Sequence, residues 1–540
     1  MATGPALLQL FRPIPRAFAR TASVLIVLAW AVQMGLLVKR AYLESPTLAA
    51  DLSRYGAGAQ WKGVYYHGEK IGYSVGQTQA TTDGFELQED GRLQMMMLGS
   101  SSAAQLRTVA RVDKAFNLRS FDFSLDPGSG PIEIHGVLEG LRLDLAIKTR
   151  SGSRAESRIL TEPPNLSLNL PRRLAAEGLE PGQHRVVSAF DPATLKNAPM
   201  ELSVEGREVV WAAGRPVPAF RVKMSFSGLT TTSWITEVGE VVREESPMGL
   251  IVIRETRERA TALAVPGDLQ VDMLRTAAIA PKGPRIDDGV NFERLKLRLE
   301  GGDFAAAELQ GGGQTVTGNV FEVRDRAALT PEPAEPNLAR FLFPEPFIES
   351  DAPEIRAEAR KAVGNESDPR KKAERLTRYV GALLEKKPTV SLPSALEVLR
   401  TRVGDCNEHT ALYVAMARAA ALPARVVVGL VYLHGAFYYH AWPEVFIEAP
   451  AGRGFWLPVD PTLNQFPADV THVALGRGGL ERQAAILPIL GRAEITILEL
   501  QKRAGTTPIL VGRPSRDNRP IEIALPQRDG SLSCWSRPPE

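Results

Sequence analysis

Residues 403–462 read VGDCNEHTALYVAMARAAALPARVVVGLVY (403–432), LHGAFYYHAWPEVFIE (433–448) and APAGRGFWLPVDPT (449–462). Gly404 and Asp405 are residue types that begin helices, and they precede an alanine-rich apolar stretch that ends at Pro423. We therefore predict a helix whose N-terminus lies at or near Cys406.

The N-terminus of a helix carries partial positive charge, because its first N–H groups have no partner within the helix. This charge favours a thiolate and can lower a cysteine pKa from about 8.5 into the range of roughly 3.5–7.5. The same N–H groups can receive an oxyanion during acyl transfer. We therefore expect Cys406 to be a reactive thiol with a depressed pKa.

Three runs of β-type residues follow the helix, at 425–432, 437–447 and 455–459. Short sequential strands joined by tight turns usually pair as an antiparallel meander. In that arrangement His440, inside the second strand, stands beside Asp460, at the end of the third. If the helix packs against this sheet, Cys406, His440 and Asp460 become nucleophile, base and base-orienting carboxylate.

Four linked motifs in this stretch closely resemble the transglutaminase-like superfamily, relatives of the papain-like thiol proteases. The motifs are Gly404-Asp405-Cys406, Arg425-Val426-Val427-Val428-Gly429, His440-Ala441-Trp442-Pro443-Glu444 and Trp456-Leu457-Pro458-Val459-Asp460-Pro461-Thr462. The resemblance covers roughly residues 350–475 and implies an α+β fold. It further implies acyl chemistry on amide or peptide bonds through a Cys406–His440–Asp460 triad and a thioester, resolved by hydrolysis or by acyl transfer.

Other interpretations of these residues stay open at the level of sequence. A free cysteine is most often a small buried apolar residue, and the domain is then a non-catalytic module that binds peptides or proteins. Asp405, Cys406 and His409 are close enough in sequence for a metal site, but no second ligand pair completes four ligands. We predict no metal and no cofactor, and we keep His409 as a reserve candidate for the base.

The rest of the chain divides by composition and periodicity. Residues 59–263 alternate short apolar runs with turn residues, which predicts an antiparallel β-rich domain. Residues 264–349 form a proline-rich connecting region with short strands, and 476–540 form a C-terminal extension. The expected fold class is thus α+β: a transglutaminase-like (papain-like) domain at 350–475, preceded by the β-rich domain and one N-terminal transmembrane helix.

The expected transmembrane segment, residues 22–38, reads ASVLIVLAWAVQMGLLV and has no charged residue. It lies at the short end of the roughly 17–25 residues that span a bilayer. Basic residues flank it on both sides: Arg12, Arg16, Arg20, Lys39 and Arg40. The excess on the N-terminal side predicts a cytoplasmic tail at 1–21, a linker at 39–58 and a periplasmic bulk on a single-pass inner-membrane protein. A cleaved signal peptide is the alternative, but Lys39-Arg40-Ala41-Tyr42 is not a small-residue cleavage site.

Overall composition excludes several classes of protein. The 540 residues are 44% hydrophobic and 23% charged, which is usual for globular domains. Lys+Arg (64) nearly balances Asp+Glu (62), so nothing indicates a nucleic-acid partner. Two cysteines, Cys406 and Cys534, cannot form a disulfide framework, although one bridge between them is conceivable. The partners we expect are a peptide or protein amide substrate of the cell envelope, and the membrane.

Overall fold

The computed structural model describes residues 58–503, with gaps at 98–99, 128–130, 151, 247–248, 264–275, 288–290, 303, 305, 327–328, 336, 388–393, 479–488 and 490–491. The expected anchor at 22–38 and Cys534 lie outside the described residues. Among the helices of the described part, none combines the length and the apolar character needed to cross a bilayer.

One antiparallel sheet of fourteen strands occupies the first half of the described chain. Its strands are β1 Gln60–Tyr66, β2 Glu69–Ala80, β3 Gly84–Met97, β4 Ser100–Asp113, β5 Leu118–Asp126, β6 Ile132–Glu139, β7 Arg142–Thr149, β8 Gly152–Ile159, β9 His184–Asp191, β10 Lys196–Ala212, β11 Arg215–Phe226, β12 Leu229–Ile235, β13 Val241–Glu245 and β14 Leu250–Glu255. The order in the sheet runs from β8 to β1, then from β14 to β9. Helix α1 (Leu170–Glu177) joins β8 to β9, and the short α2 (Arg257–Thr261) follows β14. The predicted antiparallel β-rich region is confirmed.

Alternation of side chains explains why these segments form strands. In β7 the side chains of Leu143, Leu145 and Ile147 are buried, while those between them point outward or are half-exposed. A period of two residues places these three on one face, where they share a core with Phe121 and Ile134. Neighbouring strands are adjacent in sequence along most of the sheet, so short turns connect them.

Strands β15 Phe292–Glu300, β16 Gln314–Thr317 and β17 Val320–Arg324 lie in the proline-rich connecting region and belong to a second sheet. Strands β16 and β17 form a hairpin, and β17 also pairs with β15 in antiparallel fashion. The short strands expected in this region are therefore present.

Four helices and a five-stranded sheet build the domain that contains the quoted stretch. The helices are α3 Pro353–Val363, α4 Pro369–Leu383, α5 Ala395–Thr401 and α6 Cys406–Ala419. The strands are β18 Glu332–Pro333, β19 Glu385–Lys386, β20 Val403–Gly404, β21 Ala424–Leu433, β22 Ala436–Ala449, β23 Arg453–Pro458 and β24 Val473–Gly478. The sheet order is β18-β23-β22-β21-β24, and β19 and β20 form a separate short parallel pair. The meander of three strands, β21 to β23, is as predicted.

The last described strand, β25 (Glu494–Lys502), comes from the C-terminal extension and pairs with β15. The resulting sheet, β16-β17-β15-β25, shares an apolar core with Leu430, Phe437 and Val473 of the five-stranded sheet. The connecting region and the C-terminal extension, which the sequence presents as separate segments, thus form one layer that packs on the domain containing residues 403–462.

Helix α6 is buried on all sides, which fixes the position of its first residue. The side chains from Ala411 to Ala417 have no exposed surface, and the helix contacts α3, α4, α5, β21 and β22. The alanine-rich composition allows this close approach, because small side chains bring neighbouring backbones together. The chain leaves the helix through Ala421, at a φ of 61°, just before Pro423.

A buried ion cluster lies on β22, beside the apolar core. The Glu444 carboxylate has no exposure and lies 2.8 Å from Arg425 and 3.2 Å from Arg477. Burial raises the pKa of Glu444, but the two guanidinium groups outweigh burial and hold this pKa below its ordinary value. The Arg425 guanidinium also lies 3.9 Å from the Trp456 ring centroid, a cation–π contact. The cluster joins β21, β22, β23 and β24.

Replacing Glu444 by Gln should destabilise the protein, because two buried guanidinium groups then lose their shared carboxylate. We expect a loss of about 3–5 kcal/mol in the free energy of unfolding. Urea unfolding followed by tryptophan fluorescence measures it, since Trp442 and Trp456 lie close to the cluster. The control is Glu448→Gln, an exposed position on the same strand. Equal stability of the two variants would contradict this role.

Candidate active site

The N-terminus of α6 is capped by a reciprocal pair of hydrogen bonds. Asp405 is the N-cap residue: its Oδ1 accepts the N–H of Asn407 at 2.9 Å. Glu408 Oε2 in turn accepts the N–H of Asp405 at 2.8 Å, which completes a capping box. A Cβ at Gly404 would lie 2.2 Å from the Glu408 Cβ, so glycine is required there. These local contacts make Cys406 the first residue of the helix, as predicted.

The Cys406 thiol is free and half-buried at the edge of the apolar core. Burial raises the pKa of Cys406 well above its ordinary value, and the Asp405 carboxylate raises it further. A hydrogen bond from the backbone N–H of Ala441 acts in the opposite direction but is outweighed. The expectation of a depressed pKa is therefore wrong for this structure: desolvation and nearby carboxylates exceed the partial charge of the helix end.

The contact with Ala441 brings the thiol to the strand that carries His440. Strand β23 pairs with β22 from Glu444 onward, so the part of β22 around Ala441 lies beyond the end of β23. His440 pairs with Gly429 on the other neighbouring strand, β21. A Cβ at Gly429 would lie 2.0 Å from the Val473 carbonyl oxygen, so this position also requires glycine.

His440 is oriented by Asp460, and both side chains are buried. His440 Nε2 donates to Asp460 Oδ2 at 2.7 Å. The second carboxylate oxygen of Asp460 accepts the N–H of Leu463 at 2.9 Å, and the Asp460 backbone pairs with Gln465. Burial raises the pKa of Asp460, yet attraction to His440 and hydrogen bonds from two histidines hold it far below its ordinary value. Asp460 is therefore an ionised, fixed acceptor, and it engages Nε2 of His440 rather than Nδ1.

The second of those histidines, His472, was missed by the sequence reasoning. Its Nε2 lies 3.0 Å from Asp460 Oδ2, and its Nδ1 lies 3.2 Å from Asp469 Oδ1. It follows Asp460 in a loop without a recognisable motif, so spacing gave no reason to choose it.

His440, Asp460 and His472 also have a geometry that a metal ion could use, because one ligand atom from each lies within 4.8 Å of the others. These atoms are already joined to one another by hydrogen bonds of 2.7 Å and 3.0 Å. A single carboxylate oxygen is shared by both rings, so the arrangement is that of a hydrogen-bonded chain rather than a set of open ligands.

His409, the reserve candidate for the base, stays within its own helix turn. Its Nδ1 donates to the Asp405 carbonyl oxygen at 2.7 Å, and the ring has no exposed surface. Burial lowers the pKa of His409. The ring is sealed in the protein interior, so it neither joins the His440–Asp460 pair nor completes the metal site considered with Asp405 and Cys406.

A thiol at a helix start, beside a strand whose histidine is oriented by a buried aspartate, defines the thiol-enzyme class of site. Residues 356–461 match the family model described as the transglutaminase-like superfamily, and this range includes Cys406, His440 and Asp460. The chain therefore carries a transglutaminase-like domain, as its motifs predict.

Comparisons with other proteins add similarities of lower specificity. No curated protein matches the chain. A candidate cysteine protease from Cytophaga hutchinsonii is 18% identical, with 42% of this chain and 91% of that chain covered and a TM-score of 0.26. The periplasmic domain of TgpA from Pseudomonas aeruginosa, bound to ethylmercury, is 18% identical, with 37% and 88% covered and a TM-score of 0.24. Membership of the superfamily rests on the family match and not on these two likenesses.

Replacing Asp405 by Asn tests whether carboxylates around Cys406 keep the thiol protonated. Asparagine caps a helix as well as aspartate does, so the helix start is preserved. Loss of the anion lowers the pKa of Cys406, and the thiolate fraction at pH 7 therefore rises. We expect iodoacetamide to alkylate the variant about threefold to tenfold faster at pH 7.

The matched control for this variant is Asp368→Asn, the same change at the N-cap of α4, far from the thiol. It should leave the alkylation rate as in the wild type. An unchanged or slower rate in Asp405→Asn would show that this carboxylate does not control the thiol.

Proposed function

We propose that the chain is a thiol enzyme that cleaves amide or peptide bonds, with Cys406 as nucleophile, His440 as general base and acid, and Asp460 as the residue that orients His440. The observation that carries the proposal is the 2.7 Å bond from His440 Nε2 to a buried Asp460, with the Cys406 thiol against the amide of the next residue, Ala441. An ionised carboxylate that accepts from His440 Nε2 holds the ring in one orientation, which a general base requires.

The chemistry begins from the protonated thiol of Cys406. As the sulfur bonds to the substrate carbonyl carbon, the thiol proton moves to His440 Nδ1, and Asp460 stabilises the imidazolium. The backbone N–H of Cys406, at the open end of α6, is suited to stabilise the carbonyl oxyanion. His440 then gives its proton to the leaving amine, the C–N bond breaks, and a thioester on Cys406 remains.

Hydrolysis is the outcome that we propose for the thioester. Water deprotonated by His440 adds to the thioester carbonyl, the C–S bond breaks, and the proton returns to the sulfur. Acyl transfer to an amine would need a shielded amine site, and we identify no such site among the described residues. We further propose that residues 22–38 anchor the protein in the inner membrane and that its substrates are peptides or proteins of the cell envelope.

The second candidate is a binding module that keeps the fold without the reaction. The raised pKa and half-buried position of Cys406 favour it, because a protonated, desolvated thiol is a poor nucleophile unless a base removes its proton. The two candidates differ in one property: in an enzyme the reactivity of Cys406 depends on His440, and in a binding module it does not.

The full-length protein, incubated with a peptide library, should release new peptide termini that mass spectrometry identifies. Cys406→Ala should abolish release, and His440→Gln should lower it by at least about a hundredfold, the scale of general-base catalysis. His434→Gln, an exposed histidine in the turn before β22, is the control and should keep full activity. Equal release by wild type and Cys406→Ala would overturn the proposal, and release of peptides joined to added amines would point to transfer.

A further inference from the structure

The loop after β23 places two further ionisable side chains, His472 and Asp469, behind the His440–Asp460 pair. His472 has no exposed surface, and each of its ring nitrogens faces a carboxylate oxygen: Asp460 Oδ2 at 3.0 Å and Asp469 Oδ1 at 3.2 Å. Asp469 Oδ1 also accepts the N–H of Thr471 at 2.9 Å. The run His440–Asp460–His472–Asp469 is therefore one continuous chain of hydrogen bonds.

The protonation state of His472 follows from its two partners. An ionised carboxylate can accept a hydrogen bond but cannot donate one. A neutral imidazole has one donating and one accepting nitrogen, so one of its contacts would oppose two lone pairs. Both contacts are satisfied when each nitrogen carries a proton.

We infer that His472 is a buried imidazolium and a positioning residue for the proposed triad: it holds the shared oxygen of Asp460 and sets how readily the Cys406–His440 pair releases protons. The inference rests on the proposed function of that pair. Asp469 is the second counter-anion that keeps His472 charged, so the chain is charged as carboxylate, imidazolium, carboxylate.

Electrostatics agree with this assignment. Burial lowers the pKa of His472, but hydrogen bonds from its nitrogens to Asp460 and Asp469 outweigh burial and raise it. The Asp469 side chain is 48% exposed. Partial desolvation raises the pKa of Asp469, but the hydrogen bond and attraction to His472 outweigh it and hold this pKa below its ordinary value. The titratable groups that face His472 are thus two carboxylates and, at 5.9 Å between ring centroids, His440.

One further cation, Arg326, binds the backbone of this loop and is also attracted to the Asp469 carboxylate. Its guanidinium donates to the carbonyl oxygens of Gly312 at 3.1 Å and His472 at 2.7 Å, and also to that of Asp469. Burial lowers the pKa of Arg326 to about 10. Arg326 thereby fixes the loop. The Trp442 ring packs against His472 in a T-shaped arrangement, with 5.1 Å between the ring centroids.

A charged His472 weakens the electrostatic stabilisation that Asp460 gives to a protonated His440 ring. A lone buried carboxylate would strongly favour an imidazolium at His440, whereas a carboxylate already paired with a cation favours it less. His472 therefore opposes a permanent thiolate–imidazolium ion pair. Proton transfer then accompanies attack on the substrate instead of preceding it.

The test is the pH profile of Cys406 alkylation by iodoacetamide in the full-length protein, for wild type, His472→Gln and the control His434→Gln. Glutamine can still donate to Asp460 but carries no charge. Removal of a cation makes every nearby proton harder to lose, so both inflections of the coupled pair should move upward, by about one pH unit. A purely structural role for His472 would lower the rate at all pH values without moving the inflections.

A second measurement keeps the inference testable if His472→Gln fails to fold. In wild-type protein with isotope-labelled histidine, nuclear magnetic resonance should show one solvent-protected ring with protons on both nitrogens at neutral pH. A single ring proton on every protected histidine, or an unshifted profile in folded His472→Gln, overturns the inference.

Failure of the proposed function gives a different result. If His440→Gln leaves the alkylation profile of Cys406 unchanged, Cys406 and His440 are not coupled, and the proposed triad fails whatever the state of His472. If His440→Gln alters the profile and His472→Gln does not, the triad stands and the role of His472 falls.

Discussion

The site depends on one buried carboxylate, that of Asp460, which has no contact with water. An ionised carboxylate in the protein interior is costly unless its oxygens are bonded and a positive charge lies nearby. Here one oxygen accepts a backbone N–H and the other accepts from two imidazoles. Any change that removes one of these partners leaves the charge under-compensated, so β22, the end of β23 and the loop to β24 must keep their relative positions.

These positions are maintained by parts of the chain far from the motif. Arg326, between β17 and the domain, binds the loop that carries His472, and Gln314 binds both the N–H and the carbonyl oxygen of Ala474 on β24. The layer made of β15, β16, β17 and β25 thus belongs to the support of the site. Residues 356–461 contain the proposed triad, but the geometry of Asp460 also depends on residues outside that range.

Which features could be predicted from the sequence depends on how far apart along the chain the interacting residues lie. The start of α6, the meander and the His440–Asp460 pair could be predicted, because capping signals, period-two alternation and a known motif act over short separations. His472 could not, since its role arises from a loop closed by Arg326, more than a hundred residues earlier. The joining of β15 to β25 also requires pairing between distant segments that no local pattern encodes. The order and number of strands in the first sheet belong to the same class.

The raised pKa of Cys406 shows why a motif that places a residue correctly can still mislead about its protonation state. A helix end contributes about half a unit of positive charge, and it acts over the first turn. Cys406 faces this partial charge, but it also loses water and lies near the carboxylates of Asp405, Glu408 and Asp460. The capping box that creates the helix end supplies two of these three anions. The residues that place the sulfur at the helix start therefore also favour its protonated form, and in the proposed mechanism His440 is the base that makes the sulfur nucleophilic.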